Sequence, residues 1–168
     1  MKKLLLALLI TLSTTILSKT PDSLFGVYIN DNVLDYVTKE ELKSKVKDRA
    51  RGFYYLELKN PPVSNKDYSD RLWLRFDKNN KIAQIKSEKH LQNFETCKRV
   101  VVDVRKALET KYDVELERNW ASYGFQKRFG DNVIVSECTV SGDKTVLFIS
   151  LMTIEYIIKI NESFNSNI

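Results

Sequence analysis

Residues 94–112 read Phe-Glu-Thr-Cys-Lys-Arg-Val-Val-Val-Asp-Val-Arg-Lys-Ala-Leu-Glu-Thr-Lys-Tyr, and residues 133–140 read Val-Ile-Val-Ser-Glu-Cys-Thr-Val. In the first stretch Phe94, Cys97, Val101, Val104, Leu108 and Tyr112 recur at steps of three and four, which puts all six on one face of a helix. Asn93 fits the N-cap, Glu95 suits the positive end of the helix dipole, and Glu95 and Arg99 stand at i,i+4 for an ion pair. The second stretch alternates as a strand, with Ile134, Ser136, Cys138 and Val140 on one side. Cys97 therefore belongs to the buried face of the helix, and Cys138 to a strand face that a helix can cover. These are the only cysteines in the 168 residues.

The compartment decides what two cysteines do. Met1-Lys2-Lys3 is basic, Leu4 to Leu12 is apolar except for Thr11, and small polar residues follow up to Ser18. That order is the layout of a secretory signal peptide, and the apolar part is shorter than the roughly 20 residues a membrane span needs. Residues 1–18 are read as a leader, and the mature chain as secreted or periplasmic, with no integral membrane segment. In an oxidising compartment a single pair of cysteines is most simply a disulfide. Its loop of about 42 residues corresponds to roughly 4 kcal/mol in the chain-entropy model.

Outward from the helix, Arg71 to Phe76 alternates, with Leu72, Leu74 and Phe76 on one side and Arg71, Trp73 and Arg75 on the other. Asp77-Lys78-Asn79-Asn80 is turn chemistry, and Lys81 to Ser87 returns as the partner strand. Phe53 to Lys59 reads as a strand, and Pro61-Pro62 opens a loop that lasts to Ser69. Thr38 with Glu41 forms a capping box at the start of a short helix. Asp113 to Arg118 is read as irregular, and Val146 to Met152 as a strand after a Ser141-Gly142-Asp143-Lys144 turn. Residues 153–160 fit helix and strand alike.

The segment from Gly26 to Tyr36, Gly-Val-x-Ile-Asn-Asp-x-Val-x-x-Tyr, resembles the opening of small exported α+β domains of the outer-membrane assembly lipoprotein and β-lactamase-inhibitor-like groups. The resemblance covers about a dozen residues. It departs from the pattern at Asn30, where those domains carry a second glycine, and in having no lipid-bearing cysteine. It implies a fold and no activity.

Together these features predict an α+β chain: an antiparallel sheet of about four to six strands covered by one long amphipathic helix, near 93–112, plus a short N-terminal helix. The expected divisions are the leader 1–18, one α+β domain over 19–160 and a frayed polar tail over 161–168.

Composition narrows the function less. The whole chain carries 27 basic and 22 acidic residues. Without the leader, which holds Lys2 and Lys3 and no acids, the excess falls to three positive charges, too few to mark a nucleic-acid binder. One histidine, His90, and two paired cysteines do not make a zinc site, and no phosphate loop or serine-nucleophile motif is present. No cofactor or metal is expected. Trp73 between Arg71 and Arg75 on the outward side of a hairpin is a candidate anchor for a partner. Trp120, Tyr123, Lys127 and Arg128 form a second aromatic and basic candidate, although the same residues also suit a strand whose aromatics fill the core. The reading is a non-catalytic binding or interaction module of the bacterial envelope, its partner an envelope protein or a glycan. The alternative is a small exported hydrolase or thiol enzyme using Cys97 with His90, or a carboxylate pair.

Overall fold

A computed structural model describes residues 20–119 and 122–165. The expected leader, residues 1–18, lies outside the described residues. The chain starts with a two-residue ribbon, β1 (Ser23–Leu24) and β2 (Val27–Tyr28), followed by a single 3-10 turn at Val33–Asp35 and a short helix, α1 (Lys39–Leu42). Eight strands then build one sheet: β3 (Val46–Lys47), β4 (Phe53–Leu58), β5 (Arg71–Asp77), β6 (Ile82–Leu91), β7 (Glu117–Asn119), β8 (Tyr123–Phe129), β9 (Asn132–Ser141) and β10 (Lys144–Thr153). Helix α2 (Phe94–Tyr112) sits between β6 and β7, and helix α3 (Ile154–Asn165) follows β10.

The sheet order is β3-β4-β5-β6-β10-β9-β8-β7, and every pairing is antiparallel. It is two meanders, each running by hairpins, joined where β6 meets β10 in a register from Gln84↔Met152 to Leu91↔Thr145. Helix α2 carries the chain from the centre of the sheet to its far edge, so that β7 to β10 return strand by strand to β6. The sheet thus has eight strands where four to six were expected. The difference is this joint, a pairing between segments about 60 residues apart that no local pattern announces, together with two very short edge strands. One of them, β7, lies where the acidic 113–118 segment reads as irregular.

The apolar stripe of α2 is buried as its spacing requires: Cys97, Val101, Val104, Leu108 and Tyr112 are all buried. The Asn93 Oδ1 accepts from the Thr96 amide at 2.8 Å, and Asp113 ends the helix in the left-handed region. Glu95 pairs with Lys98 rather than with Arg99, whose guanidinium instead reaches the Thr96 hydroxyl. No single long helix covers the sheet, however. Helix α2 packs on β8, β9, β10 and β6. On the same face the N-terminal residues Leu24, Val27, Ile29, Val33 and Val37 join the core that includes Leu56, Leu58, Leu72, Leu74 and Phe76. The segment is held there by the Tyr112 hydroxyl, which donates to the Ser23 carbonyl at 2.6 Å, and by exchanges of backbone hydrogen bonds between residues 30–31 and Ile82.

Helix α3 lies on the opposite face. A bulge between β5 and β6 turns Ala83 toward it, and Ala83, Phe53, Ala50 and Tyr156 form a second, smaller core. Residues 153–160 are therefore helical beyond Thr153, because Tyr156, Ile160 and their neighbours meet the sheet at helical spacing. The helix continues to Asn165, past the Ile160 boundary expected from the polar composition. Among the described residues no helix is long and apolar enough to cross a membrane.

Candidate functional site

The expected crosslink is present. Cys97 and Cys138 are bonded, with a Cα–Cα distance of 5.9 Å, and both are buried. The bond joins α2 to β9 near the middle of the core. It also removes the thiol that a Cys97–His90 pair needs: Cys97 is fully buried and bonded, while His90 is exposed on β6. Among the described residues no three His, Cys, Asp or Glu side chains converge as ligands for a metal.

The candidate binding residues divide between the two faces. The pairing register places Tyr123 in a row with Cys138 and Leu147, and Lys127 in a row with Ile134, Leu151, Ile85 and Leu74, which is the side that α2 covers. Tyr123 packs edge-on against Phe94 at 5.9 Å, beneath the Lys98 ammonium. Lys127 pairs with Glu117 across the β7–β8 edge at 2.8 Å. Tyr123 is thus a core-lining aromatic. Trp120 lies outside the described residues.

Arg71, Trp73, Arg75 and Arg128 fall on the other face, as the alternation of β5 requires. There the register aligns Trp73 with Lys86, Ser150, Val135 and Gln126, and Arg71 with Glu88, Phe148 and Glu137. Arg75 aligns with Gln84, Met152, Val133 and Arg128 in a third row. Helix α3 covers only one end of this face, and Trp73, Tyr55 and Phe148 remain half-buried. Sequence reading missed Tyr55 and Phe148, which reach Trp73's neighbourhood from β4 and β10.

Each aromatic is held by a neighbour. Tyr55 meets Trp73 edge to face at 5.9 Å, and the Lys86 ammonium sits 3.6 Å from the centre of the Phe148 ring. Trp73 Nε1 is buried and has no hydrogen-bond partner among the described residues. Burial holds the Lys86 ammonium below the usual lysine range, against the pull of Glu88 at 3.6 Å. Arg75 is anchored by Asp48, whose carboxylate is 5% exposed and accepts from Arg75 Nε at 2.7 Å. The Tyr156 hydroxyl of α3 contacts the same carboxylate, and burial together with that charge raises its pKa. The result is a surface with an aromatic centre and charges of both signs.

Two adjoining cavities lie near the β1–β2 turn, one of them reaching Arg71 at the edge of this face. One is mostly polar, about 410 Å³, between β4, the 59–70 loop and Lys89. The other is apolar, about 260 Å³, between that turn, Tyr68 and the Val104–Lys111 part of α2. No protein-family model, no curated protein and no solved structure matches the chain.

Proposed function

We propose that the chain is an exported, non-catalytic interaction module, and that the open sheet face centred on Trp73 docks a second protein of the envelope. One observation carries this reading: a sheet face bears Trp73, Tyr55, Arg71 and Arg75 together, and among the described residues helix α3 covers only one end of it. Tryptophan, tyrosine and arginine are the residues that most often dominate binding energy at protein interfaces. Aromatic side chains among paired charges of both signs suit a complementary protein surface. The leader-like residues 1–18 and the disulfide support export.

The test places a photoreactive side chain at the centre of the face, Trp73→p-benzoylphenylalanine, in cells that make the protein. Asp143, in the β9–β10 turn, takes the same substitution as a control. A protease-sensitive covalent adduct at position 73 and none at 143 is the expected result. An adduct that resists protease and yields to glycan-cleaving enzymes assigns the face to a glycan instead. Equal labelling at both positions, or none at either, overturns the docking role.

A further inference from the structure

The two neighbouring cavities share the walls Phe25, Val63 and Asn65. They adjoin as the two lobes of one surface cleft about Phe25, and their volumes compare with small-molecule pockets, roughly 300–1,000 Å³. The lobes differ in chemistry. The apolar one is bounded by Leu24, Tyr68, Val104, Ala107, Leu108 and Ile149. The polar one carries Lys59, Lys66, Arg71 and Lys89 against the two carboxylates of Glu57 and Asp70. Asp70 is engaged by Lys89 at 2.8 Å and by the His90 amide at 2.9 Å, and Glu57 faces Arg71. The lining thus holds four cations against two carboxylates; Lys59 and Lys66 are both exposed, and Lys59 also acts on the Glu41 carboxylate outside the lobe.

The cleft is built, not a gap between loose loops. The 59–70 loop is tied to the turn by the Val63 amide, which donates to the Phe25 carbonyl, and to β6 by the Asp70 amide, by Lys89 on the Lys66 carbonyl and by Ser87 on the Tyr68 carbonyl. The wall between the lobes is Phe25, at φ +54°, a backbone region that bulky residues avoid. Next to it Gly26, at φ +78°, comes so near the loop that a Cβ there meets Pro62 Cβ at 2.9 Å. Phe25 and Gly26 are the two central residues of the β1–β2 hairpin, a turn that takes positive φ at both positions, and the turn thereby sets the Phe25 side chain where the two lobes meet.

We propose that this cleft binds a small anionic amphiphile, with its alkyl chain between α2 and the β1–β2 turn and its acid head at Lys59 and Lys66. The occupant follows from the lining: an apolar lobe whose one charged residue, Lys111, is exposed, beside a polar lobe in which lysine and arginine outnumber the carboxylates. The cleft shares Arg71 with the edge of the Trp73 face, and its ligand does not depend on the docking role.

Binding is read by amide chemical shifts of the oxidised protein titrated with sodium decanoate below its micelle concentration. Shifts at Gly26, Val63–Asn65 and Ala107–Lys111 are expected, and each methylene removed from the chain weakens binding by about three- to fourfold. Decyl phosphate in parallel tells a phosphate head from a carboxylate head. Lys59→Glu with Lys66→Glu lowers decanoate affinity about tenfold and leaves decanol unchanged. Ala107→Trp, on the exposed side of α2, fills the apolar lobe and abolishes both. Decanoate and decyltrimethylammonium binding alike, shifts confined to other regions, or no shift with either anion overturns the proposal. All three substituted side chains are exposed, so retained melting behaviour separates loss of binding from loss of fold.

Discussion

Single residues decide where this sheet tolerates change. Gly124 on β8 is the clearest case: a Cβ there lies 2.2 Å from the Ser136 carbonyl oxygen and 2.7 Å from Glu137 Cα, both backbone. Neither atom moves without shifting β9, so Gly124→Ala is expected to destabilise by roughly 2–3 kcal/mol, measured as a lower urea midpoint. Tyr36 is a second case. Its hydroxyl donates to Asp31 and accepts the Tyr28 amide, and burial first, then Asp31, pushes its pKa up to about 12. A phenol whose pKa is raised on folding adds stability that is complete below its unfolded value near 10 and is lost as pH rises toward the folded value. Wild type is therefore expected to lose stability between about pH 10 and pH 12 that Tyr36→Phe does not lose, with the variant weaker below pH 10. Identical pH profiles for the two proteins would sink this assignment. At this scale the sequence was partly legible. The alternation of β5 gave the outward side of Trp73, but nothing in the sequence around Gly124 marks it, because what forbids its side chain is a neighbouring strand.

Elements were legible where their signals were local. The Asn93 cap, the Thr38–Glu41 capping box and the β5–β6 hairpin all rest on residues within a few positions of one another, and all three formed. Asn93→Ala removes the acceptor for the Thr96 amide and is expected to cost about 1 kcal/mol. Helix α3 was not decidable from its isoleucines, since β-branched residues serve a helix and a strand extension equally until a surface receives them. That surface is the second core, where Tyr156 stacks edge-on against Phe53 at 5.3 Å and its hydroxyl lies 3.4 Å from Asp48. The ring contributes more than the long hydrogen bond. Tyr156→Phe is expected to cost under about 1 kcal/mol and Tyr156→Ala roughly 3 kcal/mol or more, both from denaturant unfolding. Equal costs would show that the hydroxyl on Asp48, rather than the ring on Phe53, holds α3 in place.

At the scale of the whole molecule, two meanders meet at one strand pair, and two long-range ties secure the meeting. One is the β6–β10 ladder. The other is the Cys97–Cys138 bond, which fastens the crossing helix to β9, one strand away from that ladder. The cysteine count and the periodicities made the bond readable in advance, because each partner's buried side followed from its own local pattern. The ladder was not readable, because antiparallel strands about 60 residues apart leave no mark on either segment's alternation. The two ties also differ in kind. The ladder stabilises the native sheet directly, whereas the bond acts mainly by restricting the unfolded chain. Reduction is therefore expected to leave the native strand register intact and to lower unfolding free energy by roughly 4 kcal/mol, a large share of the 5–15 kcal/mol typical of a domain. Paired urea titrations with and without reductant measure the loss, and hydrogen exchange of the β6 and β10 amides under mildly reducing, native conditions locates it. Uniformly faster exchange across the sheet agrees with a loss that resides in the unfolded state. Selective opening of β7 to β9, with β4 to β6 still protected, would instead mean that the bond holds the second meander in place within the native structure.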